Sequence, residues 1–241
     1  MNAKAKDKLR RYGVASVGLM FVALGVALSI ISNLGTAPLS CPAYVLNLRF
    51  PALSVGTFTL LVNTSYLFVQ IALLRKDFQA RYLMQVVASA VFGYMIDGCL
   101  WALSWLHPAT FAARLGLTLL AALVTAFGVS VEVEADAWML SAEMTVNAFA
   151  KVLRKPFGPV KIIMDTLIVI LSAVLAWFFF SNPFGAGHVA HAADVLLARV
   201  PGIVIGLGTL LLAILPGALM HLTDPVVRRL RGRSGKAPDR R

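Results

Sequence analysis

The chain has 241 residues, of which 59% are hydrophobic and only 14% charged, and its formal net charge is +11. A soluble domain has about a quarter charged residues, so this composition is typical of a chain that lies in lipid and leaves no room for a separate soluble domain. The positive charge flanks apolar stretches, where it meets anionic lipid headgroups, so the lipid bilayer is a predicted partner and nucleic acid is not.

Six apolar stretches are each long enough for a helix that crosses the bilayer core, which takes roughly 20 residues. They lie near residues 12–33, 54–74, 82–106, 112–132, 159–181 and 200–221. The first follows a basic segment, as a signal peptide would, but it is too long for the apolar part of one, so we interpret it as a retained span. The predicted fold class is an all-α polytopic membrane protein, a single domain over residues 1–241.

The basic residues predict the orientation. Nineteen of the 22 lie before span 1, between spans 2 and 3, around the start of span 5 or in the tail, and the other three are Arg49, Arg114 and Arg199. The positive-inside rule then places both termini in the cytoplasm of a bacterial cell, with the protein in the inner (plasma) membrane. The basic tail, residues 226–241, mixes Arg with Gly, Ser and Pro, which is typical of disorder.

Two connections are unusual. Span 1 runs into a segment of small polar residues and prolines, residues 32–42, and span 4 runs into an acidic segment that is followed by a stretch with helical spacing, residues 138–152. A short helix after such a break either re-enters the membrane and lines a cavity or lies on the membrane surface, and the sequence leaves both open. Three neutral polar residues at the breaks are included in the predicted solute site: Thr36, Ser40 and Asn147.

The two halves of the chain resemble each other. Each follows the order span, break, short helix, span, span, and short motifs recur at an offset of 102 or 103 residues, for example at Gly25 and Gly128. Copies of three spans must enter the membrane from opposite sides, which predicts two inverted repeats, about residues 12–106 and 112–221, as in many secondary transporters.

The repeat predicts which polar residues meet. Asn63 and Asp165 each stand seven residues beyond a matched glycine, Gly56 or Gly158. Because their helices start from opposite faces of the membrane, both residues are predicted to lie near the midplane and close to one another.

Ionisable residues inside spans are expensive in lipid and usually mark a pathway. Asp165 is the strongest candidate, with Lys161 four residues before it on the same helix face; the alternative is a structural ion pair near the cytoplasmic end. Asp97, in the outer half of span 3, is predicted either to relay a proton or to bond to a neighbouring helix. Glu143 has apolar neighbours, which favours a buried role, whereas Glu132 belongs to an acidic cluster that is expected to be solvated.

Other polar groups give weaker signals. His188, His191 and Asp194 lie in the predicted outer loop before span 6, but they lack a fourth ligand, so no metal site is predicted. Cys41 and Cys99 both fall toward the outer side, where a disulfide is conceivable and free thiols are expected. The Gly-x-x-x-Gly pattern of residues 202–206 suits packing of span 6 on a helix of this chain or of a second copy, which leaves a homo-oligomer open.

Short segments along most of the chain carry a family resemblance. They are Leu34–Pro38 with Ser40, Pro42 and Tyr44, then Ser54–Phe58, Phe92–Asp97, Met139–Glu143 and Phe157–Asp165. In these segments and their order the chain resembles the YczE/YyaS/YitT family of bacterial integral membrane proteins, in its uncharacterised DUF6198-like branch. It departs from the family pattern at Ser141-Ala142, where Pro-Gly is common, and at 199–203, where a more polar segment is common. The resemblance implies a polytopic inner-membrane protein and leaves the substrate open.

The leading functional prediction is a small secondary transporter or permease for a polar solute or ion, which uses no cofactor. No hydrolase, metalloprotease or P-loop motif is present, so an enzyme is not predicted, and an intramembrane enzyme acting on lipid is a minor option. The main alternative is a non-transporting membrane regulator or scaffold whose basic tail binds a cytoplasmic partner.

Overall fold

The computed structural model describes residues 3–75, 80–135, 141–155, 157–186 and 202–232. Within these ranges the chain forms eight α-helices: α1 Ala3–Ser32, α2 Cys41–Arg49, α3 Val55–Leu74, α4 Met84–Ala102, α5 Phe111–Ala135, α6 Ser141–Leu153, α7 Phe157–Phe180 and α8 Leu207–Gly232. Short 3-10 helices precede α2 and α4, at Pro38–Ser40 and Ala80–Leu83. These ranges contain no β-strand, and one isolated bridge joins Gly185 to Ile203.

Five helices contain segments long and apolar enough to cross a membrane. They are Arg10–Ser32, Val55–Leu74, Met84–Ala102, Phe111–Glu132 and Val160–Phe180. The predictions of an all-helical membrane protein and of its first five spans are therefore confirmed. The apolar part of α8, Leu207–Pro216, is shorter than a full span, although the helix itself continues to Gly232.

The predicted sixth span, residues 200–221, is wrong at its start. Residues 202–206 are not helical, and Gly202 has a φ of 75°, a conformation that favours glycine and does not occur in an α-helix. The Gly-x-x-x-Gly pattern therefore does not lie on a helix face. The tail prediction is also corrected, because residues 226–232 continue α8; residues 233–241 lie outside the described ranges.

The non-helical segment 202–206 pairs with the break after α1, residues 33–37. The backbone N–H of Thr36 donates to the carbonyl of Val204 at 2.9 Å, and the N–H of Gly208 donates to the carbonyl of Leu34 at 2.7 Å. Irregular backbone inside a membrane is tolerated where protein satisfies its polar groups, and here each segment satisfies the other. We call this pair the crossed segments.

Helices α1 and α5 cross closely because glycines remove the side chains between them. A Cβ at Gly18 would lie 2.9 Å from the backbone nitrogen of Glu132, and a Cβ at Gly128 would lie 2.7 Å from the carbonyl oxygen of Gly18. Farther along the crossing, a Cβ at Gly25 would lie 3.0 Å from the carbonyl oxygen of Ala121. This close approach buries Glu132, which is 4% exposed, so the prediction of a solvated Glu132 is wrong.

We expect Gly128→Ala to lower the melting temperature of the purified protein. The new methyl group would meet the backbone of Gly18 and of Val22, the latter at 2.8 Å; overpacking of this kind typically costs about 1–3 kcal/mol. Gly116→Ala is the matched control on the same helix, because nothing lies within 4 Å of the position that its methyl group would take. That variant should keep or raise the melting temperature, and equal losses in both variants would contradict a tight α1–α5 crossing.

The two short helices join α3 to α7. Helix α2 packs against both α3 and α7, and α6 packs against the same two helices. Ser54 caps the start of α3, where its hydroxyl accepts a hydrogen bond of 3.1 Å from the N–H of Thr57. The four helices therefore surround a common interior region, in which the predicted polar residues can be located.

Candidate functional site

The ion pair predicted from the spacing of Lys161 and Asp165 is present on α7. The Nζ atom of Lys161 lies 3.2 Å from Oδ2 of Asp165 and donates a hydrogen bond of 3.4 Å to Oδ1. The side chain of Asp165 is 15% exposed and that of Lys161 is 34% exposed. Ile162, which directly follows Lys161, is 70% exposed and faces outward. The pair therefore lies on the inner side of α7, at the edge of the packed interior.

Tyr66 of α3 lies near this pair. Asp165 and Cys41 are both close enough to its hydroxyl to act on it electrostatically. Its backbone carbonyl accepts a hydrogen bond of 3.3 Å from the hydroxyl of Thr145 in the second turn of α6. Tyr66 thus contacts α6 directly and lies within electrostatic range of Asp165 and Cys41.

Asn63 precedes Tyr66 by one helical turn and lies on the buried face of α3. It is 7% exposed, and among the described residues it makes no side-chain hydrogen bond. An amide on a buried helix face can donate and accept hydrogen bonds, which keeps Asn63 a candidate ligand group. The structure brings Asp165 near the adjacent turn of α3, and direct proximity of Asn63 and Asp165 stays a prediction.

Both short helices begin in the protein interior and end at its surface. Cys41 at the start of α2 and Ser141 at the start of α6 are each 0% exposed, whereas Phe50 after α2 and Leu153 at the end of α6 are 45% and 56% exposed. This polarity favours the re-entrant alternative over a helix that lies on the membrane surface. Helix N-termini carry a partial positive charge, so both short helices bring that charge into the interior.

The buried hydroxyl of Ser141 has no hydrogen-bond partner among the described residues, and Ser141 is the first residue of α6. A hydroxyl at the first turn of α6 with no partner among the described residues is a second group that a bound solute can satisfy.

Two glutamines form a buried network that was not predicted from the sequence. Nε2 of Gln70 donates to Oε1 of Gln85 at 3.1 Å, to the carbonyl of Ser141 at 2.8 Å and to the hydroxyl of Thr145 at 3.0 Å. Gln85 returns a hydrogen bond of 3.2 Å to Oε1 of Gln70. The network ties α3, α4 and α6 together and fixes the first turn of α6 beside Tyr66. Its sequence signal is the presence of Gln within two apolar spans.

Asp97 is already engaged by the protein. Its Oδ1 atom accepts a hydrogen bond of 2.8 Å from the backbone N–H of Gly56 in the first turn of α3. A Cβ at Gly56 would meet the Gly93 carbonyl and the second oxygen of Asp97, so glycine is required at this crossing of α3 and α4. This geometry is that of the second predicted role of Asp97, a bond to a neighbouring helix. The negative carboxylate also interacts favourably with the partial positive charge at the N-terminus of α3.

The polar residues of the first break are buried. Thr36 is 0% exposed and Ser40 is 5% exposed. The hydroxyl of Thr36 lies 3.3 Å from Sγ of Cys41, and its backbone N–H is used in the crossed segments. Thr36 is therefore held by contacts with the start of α2 and with the crossed segments. Cys41 and Cys99 are both free thiols, as expected.

The remaining predicted groups lie outside the described part of the structure. Glu143 and Asn147 belong to α6, but their side chains are not described. His188, His191 and Asp194 lie outside the described ranges altogether. Within the described residues no group of three or more His, Cys, Asp and Glu side chains is placed to hold a metal ion.

The comparisons with known proteins identify a family and no function. Residues 9–225 match the family described as a family of unknown function, DUF6198. No curated protein and no solved structure matches the chain.

Proposed function

This chain belongs to the DUF6198 family of helical membrane proteins, and we propose that it is a small secondary transporter or permease for a polar solute. The observation that supports the proposal most is the ion pair Lys161–Asp165, which lies on the inner side of α7 at the edge of the packed interior. Charges of this kind are costly in a membrane, and they are usually retained where a solute or ion must pass.

The proposal includes two inverted repeats, and the α1–α5 crossing supports them. An offset of 103 residues relates Gly18 to Ala121 and Gly25 to Gly128. A two-fold axis that relates the repeats would map the contact between Gly18 and Gly128 onto a contact between Ala121 and Gly25. Both contacts are present. A pair of contacts that map onto each other is what a two-fold axis through this crossing requires.

The helix packing follows the same rule. The repeat relates helices α1 to α4 to helices α5 to α8, in order. The packing of α1 on α4 then corresponds to that of α5 on α8, and the packing of α2 on α3 corresponds to that of α6 on α7. The packing of α2 on α7 corresponds to that of α6 on α3. The extensive packing of α3 along α4 has no equivalent of comparable extent between α7 and α8 among the described residues. Three matched pairs support the repeat, and the packing of α3 along α4 is the largest departure from it.

The mechanism we propose is alternating access around Asp165. Loosening the contact of α2 with α7 opens the site to the outside, and loosening the contact of α6 with α3 opens it to the cytoplasm, since the inverted repeats give the two short helices exposed ends on opposite sides of the membrane. Lys161 and Asp165 exchange their mutual ion pair for contacts with the solute. Glu143 keeps its predicted place as the inner polar station, Ser40 and Asn147 supply neutral hydrogen bonds at the two breaks, and Asp97 holds the first turn of α3 through Gly56.

We predict that both termini are cytoplasmic and that the loop with His188 and His191 faces the periplasm. Nineteen of the 22 basic residues lie on one side of the predicted spans, which favours that orientation in the inner membrane. A reporter that is active only in the periplasm should work when it is inserted beside His188 and should fail when it is fused to either terminus. The reverse pattern would contradict both the topology and the direction of the repeats.

Reconstitution into liposomes tests transport while the solute is still unidentified. Liposomes loaded with a defined mixture of small polar metabolites are prepared with the protein, with the Asp165→Asn variant and without protein, and the retained contents are measured by mass spectrometry over time. We expect the native protein to release particular solutes faster than both controls. Equal retention in all three samples would contradict transport and favour the regulator or scaffold alternative.

We also propose that the family is a branch of the wider YczE/YyaS/YitT group. The support is the order of the motifs along the chain, from Leu34–Pro38 to Phe157–Asp165. A solved structure of any other member of that group tests the relation, because it should contain the same crossed segments and re-entrant short helices.

A further inference from the structure

We infer that the solute is a small zwitterion carrying an ammonium and a carboxylate group, as an amino acid does; the inference rests on the proposed transport function. The starting point is the charge balance of the site. Lys161 and Asp165 contribute one positive and one negative charge, 3.2 Å apart. A solute that opens the pair must compensate both charges, because an unpaired charge inside a membrane protein is strongly destabilising.

A zwitterion satisfies this condition without changing the net charge of the interior. Its ammonium group replaces Lys161 at the carboxylate of Asp165, and its carboxylate replaces Asp165 at the ammonium of Lys161. An amine alone would leave Lys161 without a counterion, and a carboxylate alone would leave Asp165 without one. The exposure of Lys161, at 34%, allows its side chain to move while Asp165 stays within the bundle.

The composition of the proposed site argues against a bare metal cation. The repeat offset relates Asn63 to Asp165, so the site has one carboxylate where symmetry would give two. The Tyr66 hydroxyl, which is within electrostatic range of Asp165, and the Lys161 ammonium supply hydrogen-bond donors. A divalent cation prefers several carboxylate and carbonyl oxygens, whereas a polar organic solute uses donors and acceptors together.

Thermal-shift measurements with three matched sets of probes test the inference on the purified full-length protein. The sets are the protein amino acids, primary amines with the same side chains, and monocarboxylic acids with the same side chains, at equal concentrations. We expect at least one amino acid to raise the melting temperature while its matched amine and acid do not. In Asp165→Asn that shift should be lost, and in the control Thr166→Val, whose side chain is exposed on the same helix, it should be kept.

Each other outcome overturns the inference. A thermal shift caused by amines alone or by acids alone would mean that the site balances a single charge. Transport of a sugar or an ion in the liposome assay would place the solute in another class and leave the transporter proposal intact. If no probe of any set produces a shift, the zwitterion is excluded. Failure of the transporter proposal itself is recognised separately, by equal retention of all solutes in the liposome assay.

Discussion

Replacing Asp165 with Asn is expected to reduce solute release from liposomes by roughly ten- to a hundredfold. The amide keeps the shape of the side chain but cannot balance a cation. Hydrogen bonds to charged groups contribute about 1.5–3 kcal/mol, and each 1.4 kcal/mol corresponds to a factor of about ten. The measurement is the rate of solute loss by mass spectrometry, with equal amounts of reconstituted protein verified for each variant.

Stability separates a functional pair from a structural one. Removing one partner of a fully buried ion pair lowers the free energy of unfolding by roughly 3–5 kcal/mol. Asp165→Leu alone should lower it by less, since Lys161 is 34% exposed. The double variant Lys161→Met/Asp165→Leu should fold as well as the native protein, because apolar side chains can replace an ion pair, yet it should not transport. A double variant that folds and transports normally would remove the pair from the mechanism.

The second large effect is expected at the glutamine network. Gln70→Leu leaves the amide of Gln85 without its two hydrogen bonds in a buried position, at 5% exposure. A buried polar group that loses its partner costs about 1–3 kcal/mol, although hydrogen bonds between membrane helices often contribute less. We expect a clearly lower melting temperature for Gln70→Leu in detergent, measured against the native protein.

The double variant Gln70→Leu/Gln85→Leu provides the control. Because it removes both partners, it should recover much of the stability that the single variant loses. This double variant should still bind the solute, since the glutamine network positions α6 and includes neither Lys161 nor Asp165. Additive losses from the two substitutions would mean that the amides do not act as a pair.

The sequence predicted the membrane class and five spans because these depend on composition and length alone. It also predicted the Lys161–Asp165 pair, since residues four apart on a helix share a face. It failed at residues 202–206, where an apolar stretch with glycines is equally compatible with a helix and with an extended segment. The choice depends on hydrogen bonds to the distant segment 33–37, which no local pattern contains.

The burial of polar side chains was the least predictable property. Glu132 lies in an acidic run that resembles a solvated surface, and it is buried because Gly18 allows α1 to approach α5 closely. Gln70 and Gln85 gave no motif, since their partnership depends on the packing of α3 on α4 and α6. Asp97 was expected near the pathway, and its partner is the first turn of α3. In each case tertiary contacts decided the role.

The proposed binding site is tested most directly by a thermal-shift screen of a library of small polar metabolites on the native protein and on Lys161→Met/Asp165→Leu. At a concentration about a hundredfold above its dissociation constant, a true solute should raise the melting temperature of the native protein by roughly 5–10 °C. We predict that the same solute leaves the well-folded double variant unshifted. A solute that shifts both proteins equally would contradict the assignment of Lys161 and Asp165 as the binding site.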